Sequence, residues 1–199
     1  MPNLAAAGAP PVLLLASGSR YRAELLARLR IPFTAIAPEV DESPRAGETP
    51  PSLAQRLARA KAQALRTAHP QAWILGSDQV AVLDGRLQGK PGSRAGAIEQ
   101  LNAASGRTVQ FLTAVCLLTP GGHFAALDTT TVRFRALQHA EIERYVDAEP
   151  ALDCAGSFKC EGYGISLFEA IESSDPTGLI GLPLIAVCRL LREAGYALP

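Results

Sequence analysis

The sequence has no excess of charge of either sign: its 199 residues carry 19 lysines and arginines against 19 aspartates and glutamates. A protein that holds a nucleic-acid backbone through its overall field needs net positive charge, so we expect no nucleic-acid partner. Any phosphate that the protein binds is then expected to belong to a small molecule and to be held by a few local cations. Charged residues make up 19% of the chain and apolar residues 48%, which predicts a folded protein.

Long hydrophobic runs are also missing, because the apolar segment 12–16 is far shorter than the roughly 20 residues that cross a bilayer. Residues 1–11 are rich in Ala, Gly and Pro and lack the basic start and apolar core of a signal peptide. The four cysteines form no CxxC pair and have no histidine at ligand spacing, which indicates free thiols in a reducing compartment. We therefore predict a disordered tail over 1–11, a single domain over 12–199, no membrane contact and a cytoplasmic location.

The segment 12–29 predicts a buried strand, a loop of small residues and a helix. Residues 12–16 are apolar, residues 17–19 are Ser-Gly-Ser, and apolar residues then recur at helical spacing from 23 to 29. This arrangement points free backbone N–H groups at an anion. Arg20 and Arg22 fall in the first helical turn, where cations are unfavourable unless an anion lies between them and the positive end of the helix dipole. A phosphate is one interpretation; an ordinary strand–helix turn with two solvated arginines is the other.

A second candidate site follows the apolar segment 73–76, which predicts a short buried strand ending at Ser77, Asp78 and Gln79. An acid at the C-terminal edge of a core strand is a common functional group in α/β folds, although many such acids cap the next helix. Here residues 80–88 instead predict a β-hairpin with an Asp-Gly turn, which presents Lys90 in the extended conformation imposed by the following proline. This combination favours a functional role for Asp78.

The rest of the pattern predicts a mixed α/β chain. A strand is expected over 33–37, running into acids at 39–42, and two long antiparallel strands over 108–119 and 123–134. Helices are expected over 52–67, 93–104, 138–148 and 182–193. The first of these contains Lys61, which by itself indicates a solvated surface charge. The Gly-rich segment 155–164 cannot form one regular element, so we expect it to line a cleft.

Nine motifs, in order along the chain, resemble those of the Maf family of nucleoside triphosphate pyrophosphatases. They are LASGSRYR (15–22), EVDE (39–42), RLARAKA (56–62), LGSDQV (75–80), GKP (89–91), ASGR (104–107), AEIERYV (140–146), CAGSFKCEGYG (154–164) and GLPL (181–184). The resemblance implies an α/β fold with a curved mixed β-sheet flanked by helices, two lobes and a central cleft, like inosine-triphosphate pyrophosphatases. It also implies hydrolysis of a nucleoside triphosphate between the α and β phosphates, with Mg²⁺ or Mn²⁺ as a divalent metal cofactor.

The resemblance further implies roles for individual residues. The phosphate-binding positions are Ser17, Ser19 and Arg22. The catalytic positions are Asp78 as proton acceptor, Glu42, Lys61 and Lys90, with Glu42 and Asp78 as metal ligands. The chemistry asks for the same residue types independently, because attack on a triphosphate needs its charge neutralised by cations and a metal. Asp78 can act as a general base on water, as a metal ligand or as both in sequence.

Three further positions are expected to set the base preference: Tyr21, Gln79 and Glu161. The branch of the family that prefers thymidine and uridine triphosphates has Arg, Thr and Gln there, whereas the 7-methyl-GTP branch has Trp, Gln and Glu, so Tyr21 is a departure. An electron-rich ring stacks on the positively charged 7-methylguanine, and the Glu161 carboxylate can accept from its N1–H and amine. We therefore predict 7-methyl-GTP as the small-molecule substrate, with dTTP or UTP as the alternative. Ser173 and Thr177 also depart from the family's usual Gly and Asn.

Functions of other classes stay open. A non-catalytic nucleotide-binding regulator of cell division could keep the phosphate loop, but would have no use for Asp78, which repels phosphates unless a metal intervenes. A phosphatase for smaller esters would release orthophosphate instead of pyrophosphate. A hydrolase with Cys154 or Cys160 as nucleophile would need a partner base, and no histidine stands in a sequence context that marks it as one. A homodimer is a further open alternative.

Overall fold

The computed structural model describes residues 11–199, so the predicted tail over 1–11 lies, apart from Pro11, outside the described residues. Five α-helices, one 3₁₀ helix (Tyr163–Leu167) and seven strands occur within this part of the chain. The strands are β1 (Leu13–Ala16), β2 (Phe33–Ile36), β3 (Trp73–Leu83), β4 (Arg86–Gln88), β5 (Thr108–Thr119), β6 (Gly122–Phe134) and β7 (Phe168–Glu172). The helices are α1 (Arg20–Ala27), α2 (Pro50–Ala64), α3 (Arg94–Ala104), α4 (His139–Ala148) and α5 (Leu184–Glu193). None of these helices is long and apolar enough to cross a membrane.

The strands form one mixed sheet in the order β2-β1-β3-β5-β6-β7, with β4 paired to the far end of β3. β1 runs parallel to both β2 and β3, whereas β3, β5, β6 and β7 are antiparallel in sequence. The parallel strands need helical crossovers, which α1 and α2 supply, whereas the antiparallel strands β5 and β6 are joined by a tight turn. The mixed α/β sheet predicted from the sequence is confirmed.

Helices cover both faces of the sheet. α2 packs on one face, where its apolar stripe meets residues of β1, β3 and β5. On the other face, α1 and α5 cover a cluster around Leu15 and Leu75, and α3 and α4 cover a second cluster around Phe111 and Phe134. These two clusters lie toward opposite ends of the long strands and form the cores of two lobes.

A gap in the sheet separates the two lobes. β1 pairs with β3 only as far as Gly76, and β4 pairs with β3 only from Ala81 onward. Between these points, residues 77–80 of β3 have a neighbouring strand only on the β5 side. The side of β3 that faces the gap is therefore open to a ligand at the level of Asp78.

Several predicted boundaries differ from the structure. The sequence predicts a short strand over 73–76 and a separate hairpin strand from residue 80, whereas β3 runs without a break through Asp78 to Leu83, because β5 pairs with it from Ile74 to Leu83. Asp78 is thus a mid-strand residue and does not lie at a strand end. α2 begins and ends earlier than predicted, and α5 begins at Leu184 because Pro183 lies at its N-cap position. β7 was not predicted.

Candidate active site

Asp78 and Lys61 meet because α2 packs unusually close to β3. Gly76 lies on the same face of β3 as Asp78, two residues before it, and a Cβ at this position would collide with the backbone of Ala58 in α2. Only glycine allows this approach. The close packing brings Lys61, one turn further along the helix, into contact with the strand at Asp78.

Lys61 joins the two carboxylates that the sequence predicts as metal ligands. Its ammonium nitrogen lies 2.6 Å from Oδ1 of Asp78 and 2.6 Å from Oε1 of Glu42. Lys61 and Asp78 are buried, whereas the Glu42 side chain is half exposed. The prediction of Lys61 as a surface charge, made from its helical position alone, is therefore wrong, and the resemblance placed it better.

The environments of the two carboxylates shift their pKa values in opposite directions. Burial raises the pKa of Asp78, and the nearby Lys61 and Arg22 cations offset part of this rise. Partial burial also tends to raise the pKa of Glu42. The hydrogen bond and the charge of Lys61 outweigh this effect, so that the pKa of Glu42 is lowered. Two carboxyl groups whose pKa values are pushed apart suit different roles, one as a proton acceptor and one as a permanently ionised ligand.

The loop between β1 and α1 has the geometry of an anion site. Ser19 is the N-cap of α1, and its hydroxyl accepts the N–H of Arg22. The N–H groups of Arg20 and Tyr21 have no protein acceptor within residues 11–199. Free N–H groups at a helix N-terminus bind phosphate. Ser17 is buried, and its hydroxyl accepts the N–H of Ser19, which fixes the loop.

Arg22 is held at the base of this loop. Its Nε donates to the carbonyl oxygen of Gly181 at 2.9 Å, and Ser77 donates to the same oxygen at 3.1 Å. Burial lowers the pKa of the guanidinium, while Asp78 and Glu42 act in the opposite direction. Arginine nonetheless stays charged in proteins, so Arg22 brings a partly buried positive charge to the site.

These groups surround a cavity of about 730 Å³. Its wall contains the anion loop, Glu42, Lys61, Gln79 and the segment 153–161. A volume of this size is typical of small-molecule sites. Asp78 is not part of the wall: its carboxylate lies behind Lys61. The Gly-rich segment lines the cavity as predicted.

Lys90 also lines the cavity and follows the β3–β4 hairpin. Its side chain is exposed and forms no ion pair within the described part of the chain, although its charge contributes to the lowered pKa of Glu42. The hairpin itself is as predicted, with Asp84 and Gly85 both at positive φ in the turn.

Tyr21 lies at the mouth of the anion loop with cations against its ring. The guanidinium carbon of Arg20 is 4.8 Å from the ring centroid, and the Lys159 ammonium is 6.0 Å from it. Both distances are within the range of cation–π attraction. The ring therefore stands in contact with positive charge.

Gln79 presents only an acceptor to the cavity. Its amide nitrogen lies 2.9 Å from the carbonyl oxygen of Gly178 and 3.1 Å from that of Leu179. Because carbonyl oxygens only accept, the NH₂ group must face them, and Oε1 is the atom left for a ligand. Gln79 also ties the segment before α5 to β3.

Glu161 is exposed on the cavity wall, and its position depends on Phe158. The Phe158 ring packs edge-on against Phe111, Phe134 and Phe168, with centroids 4.7 to 5.6 Å apart. This aromatic cluster anchors the otherwise irregular segment 153–161 to the core. The anchor holds Glu161 at the cavity without a regular secondary-structure element.

Sequence reasoning missed three residues that support the site. Arg56 binds Glu48 through both carboxylate oxygens and also the carbonyl of Ser43, which holds the loop after Glu42 against α2. Ser157 is buried and at positive φ, and donates to Gln100. Asp175 is buried at the N-terminus of α5. Arg56 lies within the motif RLARAKA (56–62), but nothing in that motif indicates that it binds Glu48.

The thiols near the cavity are poor nucleophiles. Burial is the main cause that raises the pKa of Cys154 to about 11 and that of Cys160 to about 12, and neighbouring carboxylates add to the rise. The reactive form is the thiolate, which is scarce at neutral pH when the pKa is this high. This geometry disfavours the cysteine-nucleophile alternative.

The fold and the site thus define an α/β protein with a cavity of about 730 Å³ whose wall includes the start of α1, Lys61 and Arg22. The chain belongs to the Maf family, since the model of that family, described as Maf-like protein, matches residues 12–194.

Named relatives match nearly the whole chain. A protein of Xanthomonas oryzae pv. oryzae named 7-methyl-GTP pyrophosphatase is 64% identical over 189 residues, which cover 95% of this chain and 100% of that protein. One of the same name from Pseudomonas syringae pv. tomato is 53% identical over 191 residues, covering 95% of this chain and 100% of that protein. Among solved structures, the Staphylococcus aureus Ham1 protein aligns with a TM-score of 0.50 at 17% identity, over 92% of this chain and 96% of that one. This last likeness concerns the fold alone.

Proposed function

We propose that the protein hydrolyses a nucleoside triphosphate between its α and β phosphates, and that its substrate is 7-methyl-GTP. The observation that carries the proposal is the Lys61 ammonium held between Asp78 and Glu42, in the wall of the same cavity as the start of α1. The relatives named 7-methyl-GTP pyrophosphatase support it. A site that only bound the nucleotide would have no use for a buried carboxylate beside the phosphates.

The reaction consumes one water molecule. Its oxygen attacks the α phosphorus, the bond from that phosphorus to the bridging oxygen breaks, and pyrophosphate leaves with the electron pair. Asp78 accepts the proton of the attacking water, and its raised pKa makes it a stronger base than an ordinary carboxylate. The N-terminus of α1, Arg22 and Lys90 stabilise the negative charge on the phosphates.

Lys61 has two roles in this scheme. It pairs with Asp78 and Glu42, and it lines the cavity whereas Asp78 does not. Phosphate oxygens offer the ammonium a further anionic partner, and charge-assisted hydrogen bonds of this kind are strong. A shift of Lys61 toward the phosphates leaves Asp78 free to accept a proton.

The donor set suits a divalent metal. Glu42 and Asp78 supply hard carboxylate oxygens on either side of one ammonium, while no cluster of three or more His, Cys, Asp or Glu side chains occurs in residues 11–199. Mg²⁺ and Mn²⁺ accept few protein ligands and keep waters and substrate phosphates. We propose that Glu42 and Asp78 hold such an ion, which when bound neutralises phosphate charge.

The four free cysteines support a reducing, cytoplasmic location.

The proposed base pocket contains Tyr21, Gln79 and Glu161. Tyr21 lines the same cavity as Gln79 and Glu161, and an electron-rich ring there can stack on the positively charged 7-methylguanine. Glu161 and Oε1 of Gln79 are both acceptors, and guanine offers donors at N1 and at its amine. The uracil O2 and O4 atoms are acceptors and would oppose them.

Pyrophosphate release from a panel of triphosphates tests the proposal. We expect Mg²⁺- or Mn²⁺-dependent pyrophosphate from 7-methyl-GTP, with kcat/KM above that for GTP, UTP, dTTP and 5-methyl-UTP. A preference for the pyrimidine triphosphates would still support cleavage between the α and β phosphates, but it would overturn 7-methylguanine as the preferred base. Orthophosphate as the first product would indicate a phosphatase, and nucleotide binding without any turnover would indicate the non-catalytic regulator.

A further inference from the structure

A second cavity, of about 330 Å³, adjoins the proposed base pocket. The two cavities share part of their walls, namely Cys160, Glu161, Leu179 and Ile180. Glu161 therefore stands at the boundary between them. The residues that line only the second cavity are Ile171 on β7 and Ser173 and Pro176 in the segment before α5.

The wall of the second cavity is mainly apolar. Ile171, Pro176, Leu179 and Ile180 supply aliphatic surface, and the protonated Cys160 thiol behaves as a small apolar group. The volume is about ten times the ~30 Å³ that one water molecule occupies in the liquid. Apolar surface of this kind gains free energy when a ligand group displaces the water that covers it. The cavity thus suits an apolar substituent.

The position of Glu161 decides where on the base that substituent would be attached. A carboxylate that pairs with guanine accepts from N1–H and from one N–H of the exocyclic amine. The second position on the planar amine nitrogen then lies on the N3 side of the base, to one side of the carboxylate, and the second cavity adjoins Glu161. N7, with its methyl group, lies on the opposite side of the ring system, away from Glu161.

We propose that the second cavity receives an apolar substituent on the exocyclic amine of the guanine, so that N2-alkylated guanosine triphosphates are substrates. This inference rests on the proposed function and on Glu161 as the group that pairs with the base. A single substituent leaves one N–H for Glu161, whereas two substituents leave none. The cavity therefore accepts mono-substituted amines and rejects disubstituted ones.

The test compares kcat/KM for pyrophosphate release from 7-methyl-GTP and from its N2-benzyl and N2,N2-dimethyl derivatives. With the unmodified protein we expect the N2-benzyl derivative to stay within about threefold of 7-methyl-GTP, and the dimethyl derivative to fall at least about tenfold, as for loss of a charged hydrogen bond. A loss of a hundredfold or more for the N2-benzyl derivative would overturn the inference while leaving the proposed function intact. No pyrophosphate from 7-methyl-GTP itself would overturn both.

A variant that fills the second cavity with a larger side chain gives a second, independent test. Ile171 lies on the terminal strand of the sheet and is 38% exposed, so a larger side chain can be added there without disturbing the core. We expect Ile171→Trp to lower kcat/KM for the N2-benzyl derivative at least tenfold and to leave that for 7-methyl-GTP unchanged. Ile165→Trp is the matched control, because Ile165 is also exposed and lines neither cavity. An equal effect of both variants, or none of Ile171→Trp, would contradict the assignment of the cavity.

Discussion

The ammonium nitrogen of Lys61 lies 2.6 Å from Oδ1 of Asp78, and both side chains are buried between α2 and β3. An isolated buried charge is very unfavourable, whereas a hydrogen-bonded pair is tolerated. Each buried charge is therefore compensated by the other. The pair also places the proposed base next to the cation that would contact the phosphates.

Removal of the negative charge at Asp78 is expected to abolish turnover without unfolding the protein. Asn has the same shape, and its side-chain oxygen can still accept from Lys61, but it cannot take a proton from water. We expect Asp78→Asn to lower kcat by about 10²- to 10⁴-fold, the usual contribution of a general base, with little change in nucleotide affinity. Pyrophosphate release and nucleotide titration measure the two quantities.

Asp153→Asn is the matched control for this variant. Asp153 is an exposed acid on the cavity wall that has no contact with Lys61. We expect its kcat to stay within about threefold of the unmodified protein, as is usual for a surface change away from the reacting groups. Full activity of Asp78→Asn would show that another group accepts the proton.

The pH profile should report the environment of Asp78. A base acts only when it is deprotonated, so kcat falls as the pH drops through its pKa. Burial raises the pKa of Asp78 above its usual 3.8, so the acidic limb is expected above that pH. The Lys61 charge lowers the pKa of Asp78, so Lys61→Gln should shift the limb to higher pH, whereas Lys61→Arg, which keeps the charge, should shift it less. An acidic limb at the same pH in both variants would assign it to a different group.

Substrate selectivity should depend on the charge at Glu161. Gln can replace one acceptor of the carboxylate but places an NH₂ group against the guanine donors. We expect Glu161→Gln to lower the ratio of kcat/KM for 7-methyl-GTP to that for UTP by about 10- to 100-fold, the range of a hydrogen bond to a charged group. The melting temperature should not change, because Glu161 is exposed. An unchanged ratio would mean that Glu161 does not contact the base.

The sequence predicts the helices and the long strands because their signals are local. The Asp84-Gly85 turn was predicted from two adjacent residues, and the helices begin at Ser19 and Ser93, whose hydroxyls accept N–H groups of the first helical turn. β7 was missed because Phe168–Glu172 has no periodic pattern of its own. Its pairing with β6 depends on the aromatic cluster around Phe158, which joins residues far apart in the chain.

The extent of β3 was mispredicted for a related reason. Ser77 and Gln79 are polar residues that would normally end a buried strand, but both side chains bind backbone carbonyls of the segment 178–181. That segment is about a hundred residues away in sequence, so no residue near β3 indicates that these hydrogen bonds form. The resemblance named Asp78 and Lys61 separately, and only the packing of α2 on Gly76 shows how they meet.

Arg56 is expected to act as a positioning residue for Glu42. Its guanidinium binds Glu48 at 2.6 and 2.8 Å and the carbonyl of Ser43 at 3.0 Å, which holds the loop that follows Glu42. Arg56 lowers the pKa of Glu48 to about 2, so the pair stays charged throughout an ordinary assay range. We expect Arg56→Gln to lower kcat/KM about tenfold, since small misplacements at a site are costly.

The dependence of the rate on metal concentration distinguishes positioning of Glu42 by Arg56 from a merely structural role of Arg56. Because Glu42 is a proposed ligand, Arg56→Gln should raise the Mg²⁺ or Mn²⁺ concentration needed for half-maximal rate, and excess metal should restore part of the activity. Arg59→Gln is the control, because Arg59 is an exposed residue of α2 three positions after Arg56. This variant should change neither kcat/KM nor the metal concentration needed for half-maximal rate. Loss of activity that no metal concentration rescues would argue against positioning of Glu42.

Thr177 is expected to stabilise the protein as a cap of α5, which accounts for a hydroxyl where the family usually has Asn. Its Oγ1 accepts the N–H of Leu184 at 2.8 Å and donates to Asp175 at 2.7 Å, while Asp175 accepts the next N–H group of α5, that of Ile185. Thr177→Val keeps the shape and removes the hydroxyl, so it should lower the free energy of unfolding by about 0.5 to 2 kcal/mol, the usual value of an N-cap.

Thr177→Ser retains the hydroxyl and should cost markedly less than Thr177→Val in the same urea titration. The comparison isolates the cap from the packing, because valine is the closer match in volume and serine the closer match in hydrogen bonding. A larger loss in the serine variant would assign the role of Thr177 to its methyl group. The segment that Thr177 fixes also supplies the carbonyl oxygen of Gly181 to Arg22, so the valine variant should weaken nucleotide binding as well.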